Sequence, residues 1–179
     1  MIGAVDCLPD APGFSGGSLG LENKRLVKFS RGRPDESLGY MLWQTCNLWQ
    51  RKIVKALTPT DLTLAQFAVL AGIAWLERAP EPITQVRLAR YLNMDVTMTS
   101  QVLSRLESRG LVSKKASGSD SRANTVMLTK KGADLVTEAL GLAHSVETSF
   151  FRSLHISHDE FMKSLESLIE SNESGKESL

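Results

Sequence analysis

The chain has 179 residues, 42% of them hydrophobic, which suits one domain with a real core and leaves no room for a large second one. Its formal net charge of +1 conceals a division: from Arg87 to Lys131 nine basic residues face three acidic ones, and from Ala133 onward nine acidic face three basic. A polyanion would therefore meet the middle of the chain and not its C-terminal part. Cys7 and Cys46 are too few and too far apart for a disulfide framework. With no leader-like start and no run near the roughly 18 apolar residues of a membrane span, neither secretion nor insertion is expected, and a reducing cytoplasm is the expected compartment.

Residues 1–35 are rich in Gly, Ser and Pro without a sustained period, and read as a disordered, solvated arm. From about Glu36 to Leu57 an apolar stripe of Leu38, Leu42, Cys46, Trp49, Ile53 and Leu57, widened by Met41 and Leu48, predicts a long helix that ends before Pro59. Within that stripe Cys46 is expected to be a small buried hydrophobe. A capping box, Thr63-x-x-Gln66, opens a second helix running to about Glu77, with Leu62 and Phe67 placed to staple across it. Thr84 is placed to cap a short third helix that breaks at Asn93, and Asp95 to cap a fourth, so the two form a helix-turn-helix.

After Gly110, strands are expected at Leu111 to Lys115 and Asn124 to Leu128, joined through a loop containing Gly118. Asp120 and Arg122 can pair across that loop, and Thr129 can cap the helix expected from Lys130 to about Arg152. Leu135, Val136, Ala139, Leu140, Ala143, Val146 and Phe150 line its apolar side. A second capping box, Ser157-x-x-Glu160, with an Ile156–Phe161 staple, opens a last helix that should bury Leu165, Leu168 and Ile169.

On a helical projection of residues 96–109, Thr99, Leu103 and Leu106 share one face with Val102 at its margin. Thr97, Gln101, Ser104 and Arg105 lie opposite, and Ser100 is near the boundary. Those polar groups can reach base edges and phosphates in a major groove: Gln can bond adenine twice, Arg can do so with guanine, and Ser or Thr serves either. Behind them Lys114, Lys115 and Arg122 place positive charge along the hairpin, whose small loop can enter a narrow minor groove. Asp120 would support Arg122, since a carboxylate aimed at phosphate is repelled.

From Leu38 to about Glu170 the chain resembles the MarR family of bacterial winged-helix regulators. The resemblance is carried by Leu38-Gly39-Tyr40, Leu62-Thr63-Leu64-Ala65-Gln66-Phe67, Leu88-Ala89-Arg90-Tyr91-Leu92, the run from Leu103 to Val112, D-x-R-x-x-x-V-x-L-T from Asp120 to Thr129, and Gly132. It implies a mainly α fold with a small β-hairpin wing: a winged helix-turn-helix flanked by dimerisation helices. The arm (1–35) would precede a dimerisation helix (36–60), the DNA-binding region (61–129), two more dimerisation helices (130–172) and a flexible tail (173–179). It further implies a homodimer on a palindromic site in double-stranded DNA, a wing arginine at Arg122, a supporting Asp120, and a repressor released by a small aromatic or phenolic effector. Trp43 and Trp75 are the expected residues of an effector pocket. The cysteine with which some members sense peroxide early in the first helix is replaced here by Gly39.

The apolar stripes of the terminal helices, including Trp43 and Trp49, independently exceed what one small domain would cover, and a dimer would bury them. His155 and His158 straddle a helix start, not an i, i+4 face, so no metal is expected, and no other cofactor. There is no phosphate-cradling Gly loop, nucleophile elbow or paired-carboxylate arrangement, so no enzyme is expected. The competing reading is a winged-helix protein-interaction module without DNA binding, in which the Thr97 to Arg105 face and Arg122 could be changed without consequence.

Overall fold

The computed structural model describes residues 37–117 and 120–173; the side chains of residues 116–124 and 173 fall outside that description. The arm 1–35, the loop residues Gly118 and Ser119, and the expected Asp120–Arg122 pairing accordingly lie outside the described residues. In chain order come α1 (Leu38–Ala56), a 3₁₀ turn (Thr58–Thr60), α2 (Leu64–Leu76), α3 (Gln85–Tyr91), α4 (Val96–Ser108), β1 (Val112–Ser117), β2 (Asp120–Leu128), α5 (Lys130–Phe150), a second 3₁₀ turn (Phe151–Ser153) and α6 (His158–Glu173).

Polar caps set the helix starts. Thr63 Oγ1 accepts from the Gln66 amide while Gln66 Oε1 accepts from the Thr63 amide, so both halves of the first capping box are made. Thr84, Asp95 and Thr129 each accept from the amide three residues on and start α3, α4 and α5. Asn93, at φ 49°, turns the chain between α3 and α4, and Gly110, at φ 68°, reverses it after α4, where the left-handed conformation favours glycine.

One core joins these elements. Ile53 from α1 and Leu57 just after it, Val69, Leu70 and Ile73 from α2, and Leu88 from α3 meet Leu103 and Leu106 from α4, Leu111 just before the hairpin, Val126 from β2, and Val136 and Ala139 from α5. The strands pair antiparallel from Val112↔Leu128 to Ala116↔Asn124, and after a register irregularity Ser117 pairs with Asp120. They are longer than expected, because backbone pairing continues past the point where apolar alternation stops, and Leu111 is buried without joining β1. A third segment, invisible to periodicity, also joins the sheet: the Val126 amide donates to Ile83 O at 2.8 Å, and Thr84 bridges Thr125.

Two stripes depart from expectation. In α1 only Ile53 and the following Leu57 are fully buried, with Trp49 partly so, whereas Leu38, Met41, Leu42, Cys46 and Leu48 are exposed. Cys46 is thus not a buried hydrophobe within one chain: the first half of α1 extends past the core that receives its end. In α6 Leu165 is half-buried, but Leu168 and Ile169 are exposed, because α6 meets the end of α5 through Phe151, His158 and Phe161 and then leaves it. Helix α5 also stops at Phe150, two residues short of the expected end, and tightens into its 3₁₀ turn. Among the described residues no helix is long and apolar enough to cross a membrane.

Candidate nucleic-acid interface

Helix α4 is fixed by one face and free on the other. Thr99, Leu103 and Leu106 are fully buried, Val102 nearly so, and the Thr99 hydroxyl is satisfied by donating to Asp95 O at 2.8 Å. Thr97, Gln101, Ser104 and Arg105 are exposed along the opposite side, with Ser100 half-buried between. Gln85 Nε2 donates to Val96 O at 3.2 Å and ties the start of α3 to the start of α4, a link between the two helices that no spacing announced.

The wing is anchored at its base. Glu77 Oε1 accepts from the Leu128 amide at 2.9 Å, and the Thr129 hydroxyl donates to Gly110 O at 2.8 Å while capping α5. Gly132 lies so close to β1 that an added Cβ would stand 1.9 Å from Leu111 O, which fixes the angle at which α5 leaves the wing.

Among the basic residues of this region the structure separates two groups. Lys114 Nζ is 2.7 Å from Glu107 Oε2, so the hairpin is paired to α4 there and part of the Lys114 charge is offset. Arg87 pairs with Glu81 at 3.1 Å and donates to Glu81 O, and Arg109 pairs with Asp61 at 3.3 Å. Lys131 Nζ donates to Arg109 O at 3.0 Å. Arg90, Arg105, Lys115 and Lys130 are exposed, and the backbone of Arg122 lies in β2. The regional excess of positive charge is therefore smaller at the surface than the sequence count suggests, because part of it is offset by neighbouring carboxylates.

The two tryptophans are not brought into one pocket. Trp43 is 62% exposed, stacks with Tyr40 and lines an open groove along α1 with Asn47, Leu48, Arg51 and Val54. Trp75 is 55% exposed on α2, its ring covered by the Arg78 guanidinium at 4.6 Å, and it does not line that groove. A more enclosed cavity of about 390 Å³ opens between α5 and α6, walled by Phe151, Leu154, Phe161, Met162 and Leu165 with His144 and His158 at its edge. Among the described residues no cluster of three or more His, Cys, Asp or Glu side chains gathers to hold a metal.

Comparison with known proteins places this geometry. A MarR family profile matches residues 60–123, which spans α2, α3, α4 and most of the hairpin. YdcH of Bacillus subtilis (strain 168), described as an uncharacterized HTH-type transcriptional regulator, is 32% identical over 136 residues, covering 76% of this chain and 92% of the relative. Among solved structures, the transcriptional repressor CouR bound to a 23-mer DNA duplex is 27% identical with a TM-score of 0.65, covering 81% of this chain and 98% of CouR. Apo MarR from E. coli is 29% identical with a TM-score of 0.57, over 75% of this chain and 96% of MarR. A helix-turn-helix with an anchored wing, matched over nearly the whole length of these regulators, makes the chain a member of the MarR family of DNA-binding transcriptional regulators.

Proposed function

We propose that the chain works in the cytoplasm as a homodimer on a palindromic operator, and that it is a repressor whose affinity a small aromatic or phenolic effector lowers. The observation that carries this reading is the division of apolar surface. Helix α4 buries its stripe internally, whereas α1 and α6 leave Leu38, Leu42, Leu168 and Ile169 exposed on elements flanking the winged region. Exposed apolar surface of that extent favours self-association. In the dimer two copies of α4 would stand about one DNA turn, roughly 34–36 Å, apart, each facing a half-site.

Thr97, Ser100, Gln101, Ser104 and Arg105 are the proposed base and phosphate contacts from α4. Lys115, with the paired Lys114 beside it, and Arg122 are those of the wing, with Asp120 supporting Arg122. The effector reading is supported by relatives of the same fold: CouR from Rhodococcus jostii RHA1 has been solved with p-coumaroyl-CoA, and DNA binding by Bordetella bronchiseptica BpsR is regulated by 6-hydroxynicotinic acid. Trp43 and Trp75 are proposed to border such a site, each from its own surface, with the second copy closing the space over the α1 groove.

Selection of genomic fragments followed by footprinting over a salt series tests this reading. A protected palindrome is expected. Arg122→Ala should weaken binding to most duplexes and reduce the salt slope by about 0.9 for each phosphate no longer neutralised, while Gln101→Ala should alter preference at a particular base position. Equal binding to specific and random duplexes at every salt concentration would contradict it and leave the protein-interaction reading.

A further inference from the structure

Arg109 belongs to the basic segment by sequence, yet its partly exposed side chain is tied along the protein surface to the α1–α2 corner. Nη1 donates to Asp61 O at 2.8 Å and to Gln66 Oε1 at 3.3 Å, and Nη2 donates to Asp61 Oδ2 at 3.3 Å. Gln66 Oε1 is the same oxygen that accepts the Thr63 amide at 3.0 Å, so Arg109 joins the capping box that starts α2. Asp61 holds a left-handed conformation at φ 51° where the chain turns from α1 into α2, and Arg109 takes both its carbonyl and its carboxylate. From the other side Lys131, in the first turn of α5, donates to the Arg109 carbonyl.

We propose that Arg109 is a positioning residue that sets the tilt of the recognition helix against the α1–α2 corner and α5, and so couples the flanking helices to DNA reading. The leverage is geometric. Arg109 closes the C-terminal end of α4, and Thr97 lies near the opposite end, about 18 Å away at 1.5 Å per residue. A tilt of about 5° at Arg109 would move the Thr97 end by roughly 1.6 Å, more than the tolerance of a bidentate base contact. The α1–α2 corner is also where α1 ends, so a shift of α1 against its neighbours reaches α4 through Asp61 and Arg109. A planar fork with its donors engaged on both the carbonyl and the carboxylate suits this task, which lysine cannot reproduce.

The proposal rests on the operator reading above, and its test separates the two. Arg109→Gln and Arg109→Lys in the full chain are compared with wild type on the selected operator duplex and on a random duplex of equal length over a salt series. Both variants should lose about tenfold or more on the operator, the scale of losing a charge-assisted hydrogen-bond set, with random-duplex affinity and salt slope unchanged. Amide exchange over residues 106–110 and around Asp61 should quicken while α2 and α5 stay protected.

Equal losses on both duplexes with a shallower slope would make Arg109 a phosphate contact and overturn the proposal. Wild-type discrimination and exchange in Arg109→Lys would overturn it too, because charge alone would then suffice. If wild type itself failed to distinguish the duplexes, the operator reading would fall, and the exchange measurement alone would decide whether Arg109 holds α4 in place. Unchanged exchange in both variants refutes that role.

Discussion

The winged region and the terminal helices carry apolar stripes of similar strength in the sequence, yet they end in opposite environments. In α4 the stripe of Thr99, Leu103 and Leu106 is fully enclosed, while on α1 and α6 Leu38 is 89% and Leu168 59% exposed. A periodic stripe states that a helix has an apolar face; it does not state whose surface will cover it. The winged region finds its cover within one chain because α2, α3 and β1 pack against α4. The terminal helices extend past that convergence, and the proposed second copy supplies the cover. One face is thus committed to folding, and the other is the one proposed for assembly.

This contrast is most sharply broken at the two glycines of α5. Gly132→Ala would drive a Cβ into Leu111 O at 1.9 Å and should destabilise the protein by about 3 kcal/mol or more, since backbone must move to relieve it. Gly141→Ala meets nothing within 4 Å and should stabilise the helix by about 0.5–1 kcal/mol. Thermal unfolding of the pair checks both signs. A Gly132→Ala protein as stable as wild type would refute the close packing of α5 on the wing.

The assembly side is sharpened by Leu168→Glu, on the exposed face of α6. It should leave the melting of the winged region near wild type while shifting the dimer toward monomer in sedimentation, by about tenfold or more in dissociation constant. A core substitution such as Leu103→Ala should instead cost about 2–5 kcal/mol of folding stability. If Leu168→Glu unfolded the chain without changing its association, the division between the two regions would be wrong.

A smaller effect is expected at the start of α6. The Ser157 hydroxyl, and then the Ser157 amide, donate to the Glu160 carboxylate and hold its pKa below the ordinary glutamate range. A lowered folded-state pKa contributes stability above the unfolded value, which is lost as pH falls through the folded value. The first turn of α6 should therefore fray only as pH falls below the ordinary glutamate range, later than an uncapped glutamate would release it. The titration of Glu160 followed by NMR measures this directly, and a midpoint at or above the ordinary value would contradict the capping role.

Much of this fold was legible because local chemistry and global packing agree. Thr63, Thr84, Asp95, Thr129 and Ser157 all cap where their spacing suggests, and the buried and exposed faces of α4 fall as a helical projection divides them. What could not be read depends on partners distant in sequence. No spacing links Glu77 to the Leu128 amide, Glu107 to Lys114 or Arg109 to Asp61, and counting charge along the chain treated Lys114 and Arg109 as available to a polyanion when both are engaged within the protein. The short pairing of Ile83 and Thr84 with β2 was hidden because a single bridge has no period. Cys46 departs from expectation for the converse reason: its position in the stripe is real, but among the described residues no surface covers it.

The central claim, that the terminal helices hold two winged helices at a fixed spacing for a palindromic site, is tested most directly by the stoichiometry of protein on the selected duplex. Sedimentation of the complex should give two chains per duplex, with affinity falling sharply when two base pairs are inserted between the half-sites. One chain per duplex, or indifference to that insertion, would contradict it.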